Sequence, residues 1–192
     1  LQKIKLKKIK NFKKKFYKIP IYSNKLIFNE ANLFLDWYIP KVINKNKKFK
    51  IKRKLKKIIT SLIKKIQLPN TTFVHRDFHV SNLMIKKNKI SIIDSQDAVY
   101  GNITYDLASL IDDVRLKTSK NFKEMIYQSY FRLNKKKINK IKFKNDFEIL
   151  SVLRNFKIIG IFTRLATRDK KKKYLKLIPY AWNLVELRLK NN

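Results

Sequence analysis

From Ile51 onward, apolar residues recur at positions 51, 55, 58, 59, 62, 63 and 66, the spacing of one helical face, with lysines between them and Pro69 as a stop. An earlier helix is predicted after Pro20, capped by Ser23 or Asn24. Its apolar face takes Leu26, Ile27, Ala31, Leu33, Phe34, Trp37 and Tyr38, and it ends near Pro40. The Lys-rich run at 44–50 reads as a loop. Thr71 to His75 is short and β-prone, and the runs Leu83–Ile85 and Lys89–Ile93 flank a polar turn, Lys86-Lys87-Asn88, as in a β-hairpin. Gly101 marks a turn, and Thr104 caps a helix from Tyr105 to about Leu116. Further periodic helices are expected at about 121–133, 146–165 and 172–189. Residues 1–19 alternate Lys with Ile, Leu, Phe and Tyr, which fits a basic strand or a short amphipathic helix.

The pattern predicts a mainly α (α+β) fold in which one small hairpin interrupts a helical chain. Residues 1–19 form a basic amino-terminal segment and 20–192 a single unit. A length of 192 residues suits one domain, given a common size of about 100–150. The apolar fraction of 44% excludes a disordered chain, which lacks the large side chains needed to offset ordering entropy.

Charge changes the picture more. The 48 Lys and Arg exceed the 13 Asp and Glu, giving a net charge of +35. Such a balance favours polyanion partners. However, only eight of the 48 are Arg, and the lysines lie on almost every element instead of gathering on one, so codon bias is the simpler account and no specific nucleic-acid partner is expected. Without Cys there is neither a disulfide nor a thiolate metal site. No apolar run reaches the roughly 18–20 residues of a membrane span, so no membrane partner is expected and the location expected is cytoplasmic. The chain begins without Met, and an absent amino-terminal portion is expected.

Against this basic background, six of the 13 acidic residues lie between Asp77 and Asp113: Asp77, Asp94, Asp97, Asp106, Asp112 and Asp113. Bound cations are one reason for such a cluster. Phosphoryl transfer needs the donor phosphates and the acceptor hydroxyl held in line and their charge neutralised by Mg²⁺, a hard ion that prefers oxygen ligands. His75-Arg76-Asp77, four residues, then Asn82, with Asp94 beyond the hairpin, follow the order of the protein-kinase catalytic loop and metal site. In that order Asp77 is the base or hydroxyl-orienting group, and Asn82 and Asp94 bind Mg²⁺ or Mn²⁺. The bland alternative makes Asp77 and Asn82 turn residues and Asp94 a helix cap.

His79 extends the loop to His-x-Asp-x-His-x-x-Asn, a form that resembles the aminoglycoside phosphotransferase family, kinase-like enzymes that phosphorylate small molecules. Ile93-Asp94-Ser95-Gln96-Asp97-Ala98 and Thr104-Tyr105-Asp106-Leu107-Ala108-Ser109-Leu110 are similar to segments of its bacterial cell-wall amino-sugar kinases. Those enzymes phosphorylate the anomeric hydroxyl of N-acetylmuramate and N-acetylglucosamine in peptidoglycan recycling. Phe34-Leu35-Asp36-Trp37-Tyr38 and Gly160–Leu165 are similar to the same group, so the resemblance covers roughly residues 29–189. Ser95 stands where that group usually has Phe.

The resemblance implies the carboxy-terminal lobe of a protein-kinase-like fold, a helical lobe whose small hairpin carries the catalytic loop and the metal Asp. It also implies ATP as phosphoryl donor and a small-molecule acceptor, the hydroxyl of a sugar. His75, Arg76, His79, Gln96, Asp97 and Asp106 become candidates for substrate contact or loop support. For each a plainer role stands beside it: His79 bracing the loop backbone, Asp97 capping a turn, Asp106 as a first-turn carboxylate favoured by the helix dipole, Arg76 in a structural ion pair. Arg164 and Arg168, four apart, read as solvated as readily as substrate-binding. No residue is assigned to the nucleotide. A kinase of this type also needs an amino-terminal lobe with a phosphate-covering loop. The only glycines are Gly101 and Gly160, neither ahead of the catalytic segment. The expectation is a carboxy-terminal lobe whose partner lobe is absent or separately encoded, with a noncatalytic remnant and a basic nucleic-acid-binding protein as alternatives.

Overall fold

The structure is a computed structural model that describes residues 1–5, 8–10, 14–134 and 138–190. The chain divides into two compact units, residues 1–23 with 68–143 and residues 24–67 with 144–192. Helices dominate and the sheets are small and antiparallel, as expected of a mainly α (α+β) chain.

The first unit contains three two-stranded sheets where the sequence predicts a single hairpin. Strands β1 (Lys8–Lys10) and β2 (Phe16–Lys18) pair antiparallel, so the strand alternative describes this part of the amino-terminal segment; residues 6–7 and 11–13 lie outside the described residues. Strand β3 (Thr72–Val74) leads into the loop at 75–82, which closes with a 3-10 turn, Val80–Asn82. Strands β4 (Leu83–Lys86) and β5 (Lys89–Ile92) form the expected hairpin, with Leu83 opposite Ile92 and Lys86 opposite Lys89. Lys87 and Asn88 both have positive φ, as a two-residue turn matched to strand twist requires.

Strand β6 (Val99–Gly101) returns antiparallel to β3, with Val74 opposite Val99 and Thr72 opposite Gly101. Gly101 is therefore a strand residue and not a turn. A Cβ there would lie 3.1 Å from Val74 Cγ2 and 3.3 Å from Tyr22 Cβ, so close packing and not backbone freedom explains it. The other edge of β6 takes residues 20–22: the Tyr22 amide donates to the Tyr100 carbonyl at 2.7 Å, and the Tyr100 amide to the Pro20 carbonyl at 2.8 Å. Ile19, Phe73 and Ala98 are buried together, flanked by Ile4 and Tyr100.

Helix α4, Tyr105–Ile111 in the structure, stops short of the expected Leu116. Thr104 precedes it without a side-chain cap bond: its backbone is already helical, with φ −83° and ψ −17°, and its hydroxyl donates to Asn102. Helix α5 (Lys120–Leu133) starts where Ser119 Oγ accepts from the Phe122 amide at 3.1 Å, an N-cap.

The second unit is helical. Its first helix (Asn24–Leu33, α1) passes through a π segment, Phe34–Tyr38, into a short helix, α2 (Ile39–Val42), so Pro40 does not end the run. In an unbroken α-helix the Pro40 ring would strike the Asp36 carbonyl. The wider π turn, in which the Ile39 amide donates to the Phe34 carbonyl, lets the chain continue. Helix α3 runs from Lys45 to Lys64, so the predicted Lys-rich loop is helical from Lys45. Lysine is a good helix former, and a solvated charge run does not break a helix.

The long helix α6 (Lys140–Thr167) contributes its residues from Lys144 onward to this unit. It meets α1 at Gly160, where any Cβ would run into the backbone of Leu33 and Phe34. Phe34 stacks on Phe156 with centroids 4.7 Å apart, and Trp182 closes the cluster edge-on at 5.6 Å from Phe34, its indole N–H donating to the Tyr38 hydroxyl. The last expected helix divides in two: a 3-10 segment, Lys172–Leu177, then α7 (Ile178–Leu189) with Pro179 in its first turn, where a proline is tolerated. No helix among the described residues is long and apolar enough to cross a membrane.

Candidate functional site

The loop between β3 and β4 has little regular structure, yet side chains distant in sequence fasten its backbone at both ends. At the first end, the buried Asp106 accepts from the His75 amide through Oδ2 at 2.8 Å and from the Arg76 amide through Oδ1 at 3.1 Å. At the second, the buried Asp113 accepts from the Val80 amide at 3.0 Å. Its other oxygen accepts from the Arg115 amide and guanidinium at 3.0 and 3.2 Å. In both, the donors offset the cost of burying a carboxylate.

His75 is fully buried, and its ring joins the loop to the far arm of the hairpin. Nε2 lies 2.9 Å from the Ile93 carbonyl, and since a carbonyl only accepts, the proton sits on Nε2. The Phe78 ring packs against the imidazole at 6.1 Å. Asn82, also buried, ties three points together. Its Nδ2 donates to the Asp77 carbonyl at 2.9 Å, its amide to the His79 carbonyl at 2.9 Å, and its carbonyl accepts from the Ile93 amide at 3.1 Å. Asp94 thus follows directly on a residue paired with Asn82.

Arg76 and Asp94 both adopt left-handed backbone conformations, with φ of 71° and 67°. Neither is glycine, and such strain persists only where the surroundings enforce it. For Arg76 the enforcement is visible: two amides on Asp106, a guanidinium bond to the Asp97 carbonyl at 3.1 Å, and a cation–π contact with Tyr22, 5.4 Å from the ring centroid. The β3–β6 pairing brings the two ends of the 75–98 stretch side by side, which is why Arg76 can reach Asp97.

The remaining candidates lie toward solvent. Asp77 and His79 are half-buried, while Asp94, Gln96 and Asp97 are exposed. Among the described residues, no group donates to the carboxylates of Asp77, Asp94 or Asp97, or to Oδ1 of Asn82. Open carboxylate and amide oxygens are the donor set that suits a hard divalent cation. Among the described residues no cluster of three or more His, Cys, Asp or Glu forms, so a metal here would take two protein side chains and complete its shell with phosphate and water.

Sequence reasoning counted Asp112 and Asp113 in the acidic cluster without giving them a role, and had no signal for Lys123. Asp112 pairs with the buried Lys123 at 3.4 Å, and Lys123 also donates to the Ile111 carbonyl. Arg164 and Arg168 lie on α6 and just past it, in the other unit, where Arg168 pairs with Asp169 at 2.6 Å.

The loop is held by two buried carboxylates and opens onto unclaimed oxygens, and comparison with known proteins gives the class. The profile described as phosphotransferase enzyme family matches residues 21–138, and the chain belongs to that family. Among individual proteins it is similar to the N-acetylmuramate/N-acetylglucosamine kinase of Neisseria meningitidis serogroup B, 32% identical over 170 residues, 86% of this chain and 51% of that protein. The kinases of the same name from Pseudomonas aeruginosa and Pseudomonas putida are 28% and 29% identical, over 88% and 84% of this chain and 51% and 49% of theirs. The chain spans about half the length of these curated relatives.

Proposed function

We propose that this chain carries the catalytic loop and metal-binding side chains of a cytoplasmic, ATP-dependent kinase that phosphorylates the hydroxyl of a small molecule, an amino sugar of cell-wall recycling. What carries the proposal is Asn82. Its Nδ2 is spent on the Asp77 carbonyl, which leaves Oδ1 without a donor among the described residues, and its backbone carbonyl accepts from Ile93, the residue that precedes Asp94. The family match and the names of the similar kinases support the same chemistry.

In this proposal Asn82 Oδ1 and the Asp94 carboxylate hold Mg²⁺ or Mn²⁺, which when bound neutralises charge on the donor phosphates. Asp77 orients the acceptor hydroxyl and receives its proton, a role suited to a half-buried carboxylate with no competing donor. Asp106 and His75 support the loop from beneath. Arg76 holds the turn at 95–98 through the Asp97 carbonyl, and Gln96, Asp97 and His79, exposed or half-buried, are the candidates for contact with the acceptor. Positioning supplies most of the rate in phosphoryl transfer, so turnover requires the nucleotide-covering elements of a partner lobe as well.

The test measures ATP consumption with N-acetylglucosamine, N-acetylmuramate and other small alcohols, for the chain alone and for the chain fused to the amino-terminal lobe of a related kinase. Turnover is expected in the fusion only, and Asp77→Asn is expected to abolish it. Robust turnover by the isolated chain would remove the need for a second lobe. A folded fusion inactive on every acceptor would overturn the kinase proposal.

A further inference from the structure

Helix α4 is only seven residues long, and the loop that it faces is fastened at both of its ends. Asp106, in the first turn, holds the amides of His75 and Arg76. Asp113, two residues past the last turn, holds the amide of Val80. The first anchor is set by the helix itself. At the second, the Asp112 amide still donates to the Ala108 carbonyl at 3.0 Å, but with φ −105° and ψ 39° the chain leaves helical geometry there, so a contact beyond the helix ladder is needed to orient Asp113.

Lys123 is the group in place to do so. It projects from the first turn of α5 and is 5% exposed, an unusual setting for a lysine. Its ammonium donates to the carbonyl of Ile111, the last residue of α4, and lies 3.4 Å from Oδ1 of the fully buried Asp112. A cation at the carbonyl end of a helix is favoured by the helix dipole, and the Asp112 carboxylate offsets its desolvation. The two contacts bracket the peptide link from residue 111 to 112, immediately before Asp113.

We infer that Lys123 is a positioning residue: by gripping the Ile111 carbonyl and the Asp112 carboxylate it sets the turn that presents Asp113 to the Val80 amide, and thereby fixes the Val80–Asn82 turn. The mechanical part stands on these contacts alone, while its consequence for metal and nucleotide rests on the proposed function. A lysine that merely packed α5 against α4 would stabilise the unit evenly; Lys123 instead acts on one end of the loop.

The experiment is site-resolved amide hydrogen exchange on the full chain, comparing wild type, Lys123→Met and the double variant Asp112→Asn with Lys123→Met. The double variant removes both charges and serves if the single variant, which strands a buried carboxylate, does not fold. Ile59→Val, in the other unit, is the control for general loss of stability. Exchange at the Val80 and Arg115 amides should accelerate about tenfold or more relative to that at His75 and Arg76 in the Lys123 variants, and not in the control. Equal acceleration at both ends of the loop, or none at Val80 in a folded variant, overturns the inference. In a parallel titration, the Mg²⁺·ATP concentration at half-saturation of the melting shift should rise several-fold in the Lys123 variants and stay put in Ile59→Val. A wild-type chain that shows no Mg²⁺·ATP shift defeats the proposed function, and the exchange ratio then decides the positioning role by itself.

Discussion

The six acidic residues from Asp77 to Asp113 divide into an inner and an outer set. Asp106, Asp112 and Asp113 are at most 5% exposed, and each is engaged, with two backbone amides, a lysine, or an amide and an arginine. Asp77, Asp94 and Asp97 face solvent wholly or in part, and among the described residues none of their carboxylates meets a donor. In a chain of net charge +35, lysines to neutralise the outer set would be easy to find, so the open oxygens are a property of the local fold. A carboxylate that organises backbone must be buried and satisfied, whereas one that serves a ligand must be held still with its oxygens uncommitted.

The sharpest test of this division is Asp106→Ala, which strands the amides of His75 and Arg76 without acceptors. It should lower stability by about 3 kcal/mol or more in urea unfolding, and a loss below about 1 kcal/mol would break the comparison. Asp113→Asn keeps one acceptor oxygen but surrenders the charge that Arg115 and Val80 share; about 1–2 kcal/mol is expected from the same measurement. Asp77→Asn and Asp94→Asn should change stability by no more than about 0.5 kcal/mol in the absence of ligand, since neither carboxylate is engaged. Asparagine is the right replacement at Asp94 because it tolerates a left-handed backbone. Asp94→Asn should nevertheless lose the rise in melting temperature that Mg²⁺ with nucleotide gives the wild type; an identical rise in both proteins would remove Asp94 from the metal site. The smallest effect is expected far from the acidic cluster. Replacing the exposed Lys54, Lys56 and Lys57 of α3 with Gln should leave melting at high salt unchanged and raise it slightly at low salt, as self-repulsion falls.

Much of the candidate site was readable because its spacing is local. Asp77, Asn82 and Asp94 sit in fixed order around a hairpin that its β-prone arms and turn residues announce. The supports were not readable to the same degree, since Asp113 reaches Val80 across 33 positions and His75 reaches Ile93 across 18, and no periodicity encodes such partners. Among the elements, Pro40 and Gly101 misled for one reason. Each was read by its intrinsic backbone preference, while tertiary packing decided the outcome, through a π turn in one case and a close approach to Val74 and Tyr22 in the other. The lysines at 45–50 misled because charge density signals exposure and not loss of helix.

The β4–β5 hairpin makes the affinity of this site a matter of populations. Met84, Ile85, Ile90, Ile92 and Ile93 are all more than a third exposed, so little burial holds the arms together, and a two-stranded hairpin has marginal stability of its own. Yet Asn82 and Asp94 lie at its two ends, and the bond from the Ile93 amide to the Asn82 carbonyl that joins those ends holds only while the arms are paired. If Asn82 and Asp94 hold the metal as proposed, its measured dissociation constant is the intrinsic one divided by the fraction of molecules with the hairpin closed. Anything that covers those five apolar side chains would then raise that fraction and tighten binding without touching Asn82 or Asp94.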